Sequence, residues 1–248
     1  MNYPDIKLSE RMFNMNEGDS CPKGTRYAWR FLANAAMRMG VNLKQTEVDR
    51  FYHYNYLGVV VDRLVDDKKL SDDEREKLIR EILLDGNIQS VGDTTDRDLL
   101  VASLDYVASL PEQVRDESVS DALDAMSSEP LKREATTLDD LIGVRMKEAY
   151  YYTTMMRLDD SGHNPDSAHR VRFNHWLRTI AEVGYLVDTL IDLDDDSASG
   201  EIGLTPKIRH KVILARQSFV GLIKLARLTP VGSYSDVIYY LRKYNHHD

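Results

Sequence analysis

Apolar residues recur at three- and four-residue intervals along nearly the whole chain, and glycine and proline fall mostly where those runs end. That spacing suits α-helices and leaves little that could form β-hairpins. Helices are expected over 25–39, 46–67, 71 to just before Gly86, 95–110, 118–127, 137–158 and 167–193. Two more are expected, one opening at Pro206 and ending near Thr229, the other over 234–244. Thr25 is placed to cap the first helix, with Gly40 just past its end. Ser71 and Glu74 have the spacing of a capping box, Thr137 opens the sixth helix, and Pro111 and Pro130 read as stops. Loops are expected over 159–166 and over the acidic stretch 194–204. The fold class is therefore all-α: one domain over 1–248, a bundle of about nine helices around a central cavity. The stretch 85–135 is the least apolar and is expected outside the core.

Composition narrows the function. With 32 Lys and Arg against 41 Asp and Glu, the net charge is -9, which disfavours a non-specific nucleic-acid binder. The single cysteine, Cys21, excludes a disulfide scaffold and a cysteine-based zinc site, and fits a reducing cytoplasm. The longest uncharged apolar run, 56–61, is too short to cross a membrane, and 1–13 has no run that suits a signal sequence.

Two segments break the usual pattern of a charged face opposite an apolar stripe. One runs from Leu57 through Asp62 to Asp66 and Asp67, the other from Gly184 through Asp188 and Asp192 to Asp196. In each, aspartates four residues apart sit in a run of Val, Ile and Leu, so Asp62 projects with Asp66 and Asp188 with Asp192. Each pair follows a glycine one turn earlier on the same face, Gly58 and Gly184. A glycine inside a helix costs about 1 kcal/mol relative to alanine, so it leaves room either for a ligand or for a closely packed helix. A solvated acidic face would explain the spacing as well. Against that, like charges at i,i+4 disfavour a helix, unpaired carboxylates among apolar neighbours are costly, and the arrangement occurs twice.

Cations resolve the conflict. Carboxylates without His or Cys select a hard ion, Mg²⁺ above all, which takes one or two protein carboxylates, waters and phosphate oxygens. A di-iron bundle would require Glu-x-x-His pairs, and no His stands three residues after a Glu.

The segments Asp62-Arg-Leu-Val-Asp66-Asp67 and Asp188-Thr-Leu-Ile-Asp192, or Asp192-Leu-Asp-Asp-Asp196, resemble the paired aspartate motifs of the class I isoprenoid (terpenoid) synthase superfamily. The run from Asp192 through Gly200, Ile202 and Leu204 is similar to the second motif of squalene and phytoene synthases. The small prenyltransferase of moenomycin biosynthesis is similar in length. Val187 or Ile191 stands where the squalene/phytoene pattern has an Arg, and the Asn/Ser/Glu triad of linear terpene cyclases is missing.

The resemblance implies an enzyme that binds a prenyl diphosphate through three Mg²⁺, held by Asp62, Asp66, Asp67, Asp188, Asp192 and Asp196. Ionisation of the C–O bond and coupling of the allylic cation to a second prenyl or lipid acceptor would release pyrophosphate. A terpene cyclase acting on one prenyl diphosphate would share the first step. Arg145 takes a position where its helix calls for an apolar residue, and is the first candidate for the diphosphate; a surface Arg with a snorkelling stem is the alternative. Arg242, Lys243 and Tyr244 are similar to the basic caps of the superfamily, though a basic helix end opposing the macrodipole accounts for them too. Tyr152 and Tyr185 are the aromatic faces best placed to line the pocket beside Gly58 and Gly184.

Membrane-surface contact and a homodimer are both compatible with this reading, although no basic amphipathic stretch stands out. Rival readings are a helical binding or scaffold protein with solvated or structural-metal aspartates, and a Mg²⁺-dependent phosphohydrolase, which would typically use Glu-rich motifs. No nucleophile elbow, P-loop or Rossmann fingerprint is present.

Overall fold

A computed structural model of the chain describes residues 23–65, 97–126 and 128–230, with isolated positions between 71 and 82. The fold is all-α. Eight helices have defined bounds: α1 Lys23–Arg38, α2 Gln45–Val65, α3 Arg97–Ala108, α4 Glu112–Met126, α5 Ser128–Glu134, α6 Leu138–Met156, α7 Ser167–Ser199 and α8 Ile208–Leu228. Helical positions between 73 and 82 belong to a further short one.

The terminators act largely as their chemistry requires. Gly40 ends α1 with φ +88°. Ser71 and Glu74 form the reciprocal capping box: the Ser71 amide donates to the Glu74 carboxylate at 2.8 Å and the Glu74 amide to Ser71 Oγ at 3.4 Å. Thr137 caps α6 by accepting from the Asp140 amide at 3.2 Å.

Four expectations are corrected. Thr25 lies inside α1, which begins at Lys23. Helix α4, expected from 118, opens at Glu112 behind Pro111, whose carbonyl accepts from Arg115 at 2.9 Å, and Pro130, expected only to end a helix, stands in the first turn of a further one, α5; a proline at a helix start loses no intrahelical bond. Pro206 precedes α8 by two residues. The acidic stretch after Leu193 is helix as far as Ser199, and Gly200 ends it with φ +80°. Ionic partners on neighbouring helices, Arg145 for Asp196 and Lys211 for Asp194, relieve the repulsion that a run of aspartates would otherwise create.

The helices enclose two apolar clusters. The larger joins Trp29 of α1, Phe51 and Tyr56 of α2, Leu100 of α3, and Phe173 and Trp176 of α7. Leu100, Val107 and Val119 belong to it, so part of 85–135 is core after all. The smaller gathers Leu141 of α6, Leu186 and Leu193 of α7, Ile202 and Leu204 of the segment between α7 and α8, and Leu214 of α8. Arg170, near the start of α7, is 1 % exposed and ties the larger end together: it donates to Glu47, to Asp166 at 2.7 Å and to the Asn42 carbonyl at 3.1 Å. Among the described residues no helix is long and apolar enough to cross a membrane.

Candidate functional site

The second acidic segment lies on one face of the C-terminal half of α7, and α6 runs antiparallel against it. Arg145, on α6, is 8 % exposed rather than snorkelling. Its Nη2 donates to Asp196 Oδ2 at 3.4 Å and lies 4.0 Å from Asp188 Oδ2, while its Nη1 donates to Glu148 Oε2 at 3.1 Å. The guanidinium carbon stands 6.0 Å from the centre of the Tyr185 ring. Its Nε is buried with no hydrogen-bond partner. Thus Arg145, Tyr185, Asp188 and Asp196, all singled out in the sequence, lie together.

Glu148 carries the network further. It accepts from Ser128 Oγ at 2.8 Å and lies 3.4 Å from Lys132 Nζ. Ser128 and Lys132 were not among the candidates because α5 was hidden behind a supposed stop at Pro130, and Glu148, on the expected α6, gave no signal of its own in the spacing of the acids. The Gly200–Leu204 run also has a definite task here. Ile202 and Leu204 fill the smaller core, and Gly203 donates its amide to the Lys132 carbonyl at 3.1 Å. A Cβ on Gly203 would lie 2.1 Å from the Arg133 carbonyl oxygen, so only glycine permits that approach.

Burial pushes the Asp188 carboxyl above its ordinary range, with Asp192 and Glu148 adding to the rise and Arg145 and Lys132 opposing it. Asp196 is raised for the same leading reason. Four carboxylates (Glu148, Asp188, Asp192 and Asp196) thus surround two cations, Arg145 and Lys132, and the site retains excess negative charge. The donor chemistry suits Mg²⁺, which needs only one or two carboxylates when phosphate and water supply the rest. Asp188 and Asp192, one turn apart, are the pair that would hold it. Among the described residues no three acidic or imidazole groups converge closely enough to hold a metal alone.

The first acidic segment is only partly described. Asp62 lies on α2, and Asp66 and Asp67 lie outside the described residues, as do Arg242, Lys243 and Tyr244. The register of α2 against α6 is nevertheless fixed. Arg50 donates to the Arg157 carbonyl at 3.1 Å, Asn55 lies against Met156, and Tyr152 donates to Asn55 Oδ1 at 2.8 Å, so the two helices are antiparallel. Asp62 is two turns beyond Asn55 and Arg145 two turns before Tyr152, each about 10 Å along the axis. Asp62 therefore stands on the part of α2 that continues toward the Arg145 end of α6.

The two motif glycines differ. A Cβ on Gly58 would meet the Tyr152 ring at 3.8 Å, ordinary contact between packed helices, whereas Gly184 is exposed with nothing within 4 Å. A groove of about 670 Å³ lies elsewhere, where Val183 and Leu186 of α7 face Gly221 and Lys224 of α8 with Met146 of α6. That face of α7 is turned well away from Asp188. Compared with known protein families, curated proteins and solved structures, the chain matches none of them.

Proposed function

We propose that the chain is a Mg²⁺-dependent enzyme that ionises an allylic prenyl diphosphate and couples the cation to a second prenyl or lipid acceptor, with release of pyrophosphate. The observation that carries this reading is the buried Arg145 set among an excess of carboxylates on α6 and α7. Asp188 and Asp192, with Asp62, would hold the cation, which when bound supplies charge neutralisation of the diphosphate.

The chain's own groups support that chemistry in three ways. Arg145 presents a permanent positive charge from a position where little water screens it, so it can stabilise negative charge developing on a leaving diphosphate. Glu148, itself fixed by Lys132 and Ser128, holds the guanidinium in place, which spares its reorganisation during the reaction. The Tyr185 ring offers an electron-rich face beside the site, suited to a carbocation.

The pairing of Arg145 with Asp196 also favours a second reading, a helical scaffold in which the acidic turn is simply neutralised from within. Incubation of the protein with Mg²⁺ and geranyl, farnesyl or geranylgeranyl diphosphate, singly and in pairs, separates the two. Pyrophosphate release that needs Mg²⁺ and is lost in Asp62→Ala and Asp188→Ala is the expected result, and the products distinguish coupling from cyclisation. No release from any substrate, together with no Mg²⁺-dependent binding of an inert diphosphate analogue, establishes the scaffold.

A further inference from the structure

We infer that the outer face of α8 docks the protein on an anionic lipid bilayer. This corrects the sequence-based expectation that no basic amphipathic stretch exists, and it stands independently of the proposed catalysis. The inner face of α8, with His210, Leu214 and Ser218, is buried against the rest of the fold, and Gly221 lets α7 come close enough that a Cβ there would lie 2.6 Å from Val183. The outer face should therefore be polar. Instead Ile208, Val212, Ala215, Phe219 and Leu222 follow one another at alternating steps of four and three, forming one apolar stripe. Ile208 is 85 % exposed, Val212 62 % and Phe219 63 %.

Charge identifies what covers it. In a chain of net charge -9, the 21 residues of α8 include five Lys and Arg and no Asp or Glu. At 100° per residue, Arg209, Arg216 and Arg227 run along one edge of the stripe. Arg216, Lys224 and Arg227 also line the groove of about 670 Å³ between α7 and α8. Glu182, the acid of that groove, is already engaged by Arg178 at 2.8 Å. An apolar stripe bordered by unopposed cations is the signature of a helix lying in a membrane interface, its apolar residues at the acyl boundary and its cations level with lipid phosphates. A second copy fits poorly: pairing α8 with itself sets Arg209, Arg216, Lys224 and Arg227 against their equivalents, with no acid on either helix to offset them, Lys211 alone being engaged by Asp194. The groove beside the stripe gives one lipid headgroup a place to settle among the three cations.

Flotation of the full-length protein with phosphatidylglycerol-containing vesicles, beside pure phosphatidylcholine vesicles, tests this. Binding to the anionic vesicles and not to the neutral ones is expected, weakening as salt is raised from 0.1 to 0.5 M. Arg216→Glu/Lys224→Glu/Arg227→Glu should lower the partition coefficient about a hundredfold. Phe219→Asp/Leu222→Asp should lower it at least about tenfold with thermal stability unchanged, and the exposed Lys147→Glu, an equal type of charge change on α6, should leave binding intact. Equal binding by all variants, or none to anionic vesicles, overturns the proposal. So does a marked fall in stability of Phe219→Asp/Leu222→Asp, which would assign the stripe to the chain's own segments, or a concentration-dependent dimer that this variant abolishes.

Discussion

Arg145 and Asp196 meet across the contact of α6 with α7, Nη2 to Oδ2 at 3.4 Å, although they stand 51 residues apart in the chain. This pair anchors the last two turns of α7, and it decides what kind of charge the acidic face can tolerate.

Arg145→Met should therefore cost about 3 kcal/mol, since it leaves Glu148, Asp188 and Asp196 facing one another with only Lys132 to offset them. Urea denaturation measures the loss. Millimolar Mg²⁺ should restore part of it in the variant, because a divalent ion takes over the missing charge. A variant that Mg²⁺ leaves unchanged would show that the carboxylates do not accept the ion.

Glu148→Gln should be destabilising by a similar amount, about 3 kcal/mol, because Lys132 and Arg145 both lose a buried counter-charge. Combining it with Lys132→Met should recover part of the loss. A double-mutant cycle gives the coupling, and strict additivity would contradict the network.

The pH dependence has a definite sign. Burial raises the Asp188 and Asp196 carboxyls above their ordinary value, so the folded state takes up protons before the unfolded chain does. Their destabilising effect is absent below about pH 4 and grows as pH rises through the raised values. Asp188→Asn, which leaves the Arg145–Asp196 pair intact, should accordingly match the parent in melting temperature near pH 4 and exceed it at pH 7. Added Mg²⁺ should narrow that difference at pH 7. Melting curves across this range, with and without the ion, give the answer.

Arg170 offers a control remote from the acidic site. Arg170→Met strips Glu47 and Asp166 of their buried partner and should cost about 4 kcal/mol. Pyrophosphate release per folded molecule should be unchanged, which separates loss of fold from loss of function.

Much of this architecture was legible in the chain. Helical periodicity, the Ser71–Glu74 box, Thr137 and the left-handed Gly40 follow from local chemistry that sequence states directly. So did the acidic face of α7, because i,i+4 spacing is itself a statement about geometry. What eluded the sequence was context. Pro111 and Pro130 read equally as stops and starts, and only the packing of α4 and α5 on α6 decides between them. The run after Leu193 looked like a loop because its neutralising partners, Arg145 and Lys211, lie on other helices. The apolar stripe of α8 did not stand out in the sequence, because only the burial of His210, Leu214 and Ser218 shows that the stripe faces outward.

The division of the interior into two clusters has a consequence for how the molecule opens. The larger cluster grips the first half of α7 through Phe173 and Trp176, reinforced by Arg170, whereas the second half rests on the smaller cluster around Leu141, Leu193 and Leu214. Amide hydrogens beyond Leu186 should exchange with solvent through openings that leave the Arg170 end closed. One unbroken helix thus spans two regions of unequal opening free energy, and the acidic face belongs to the one that opens first.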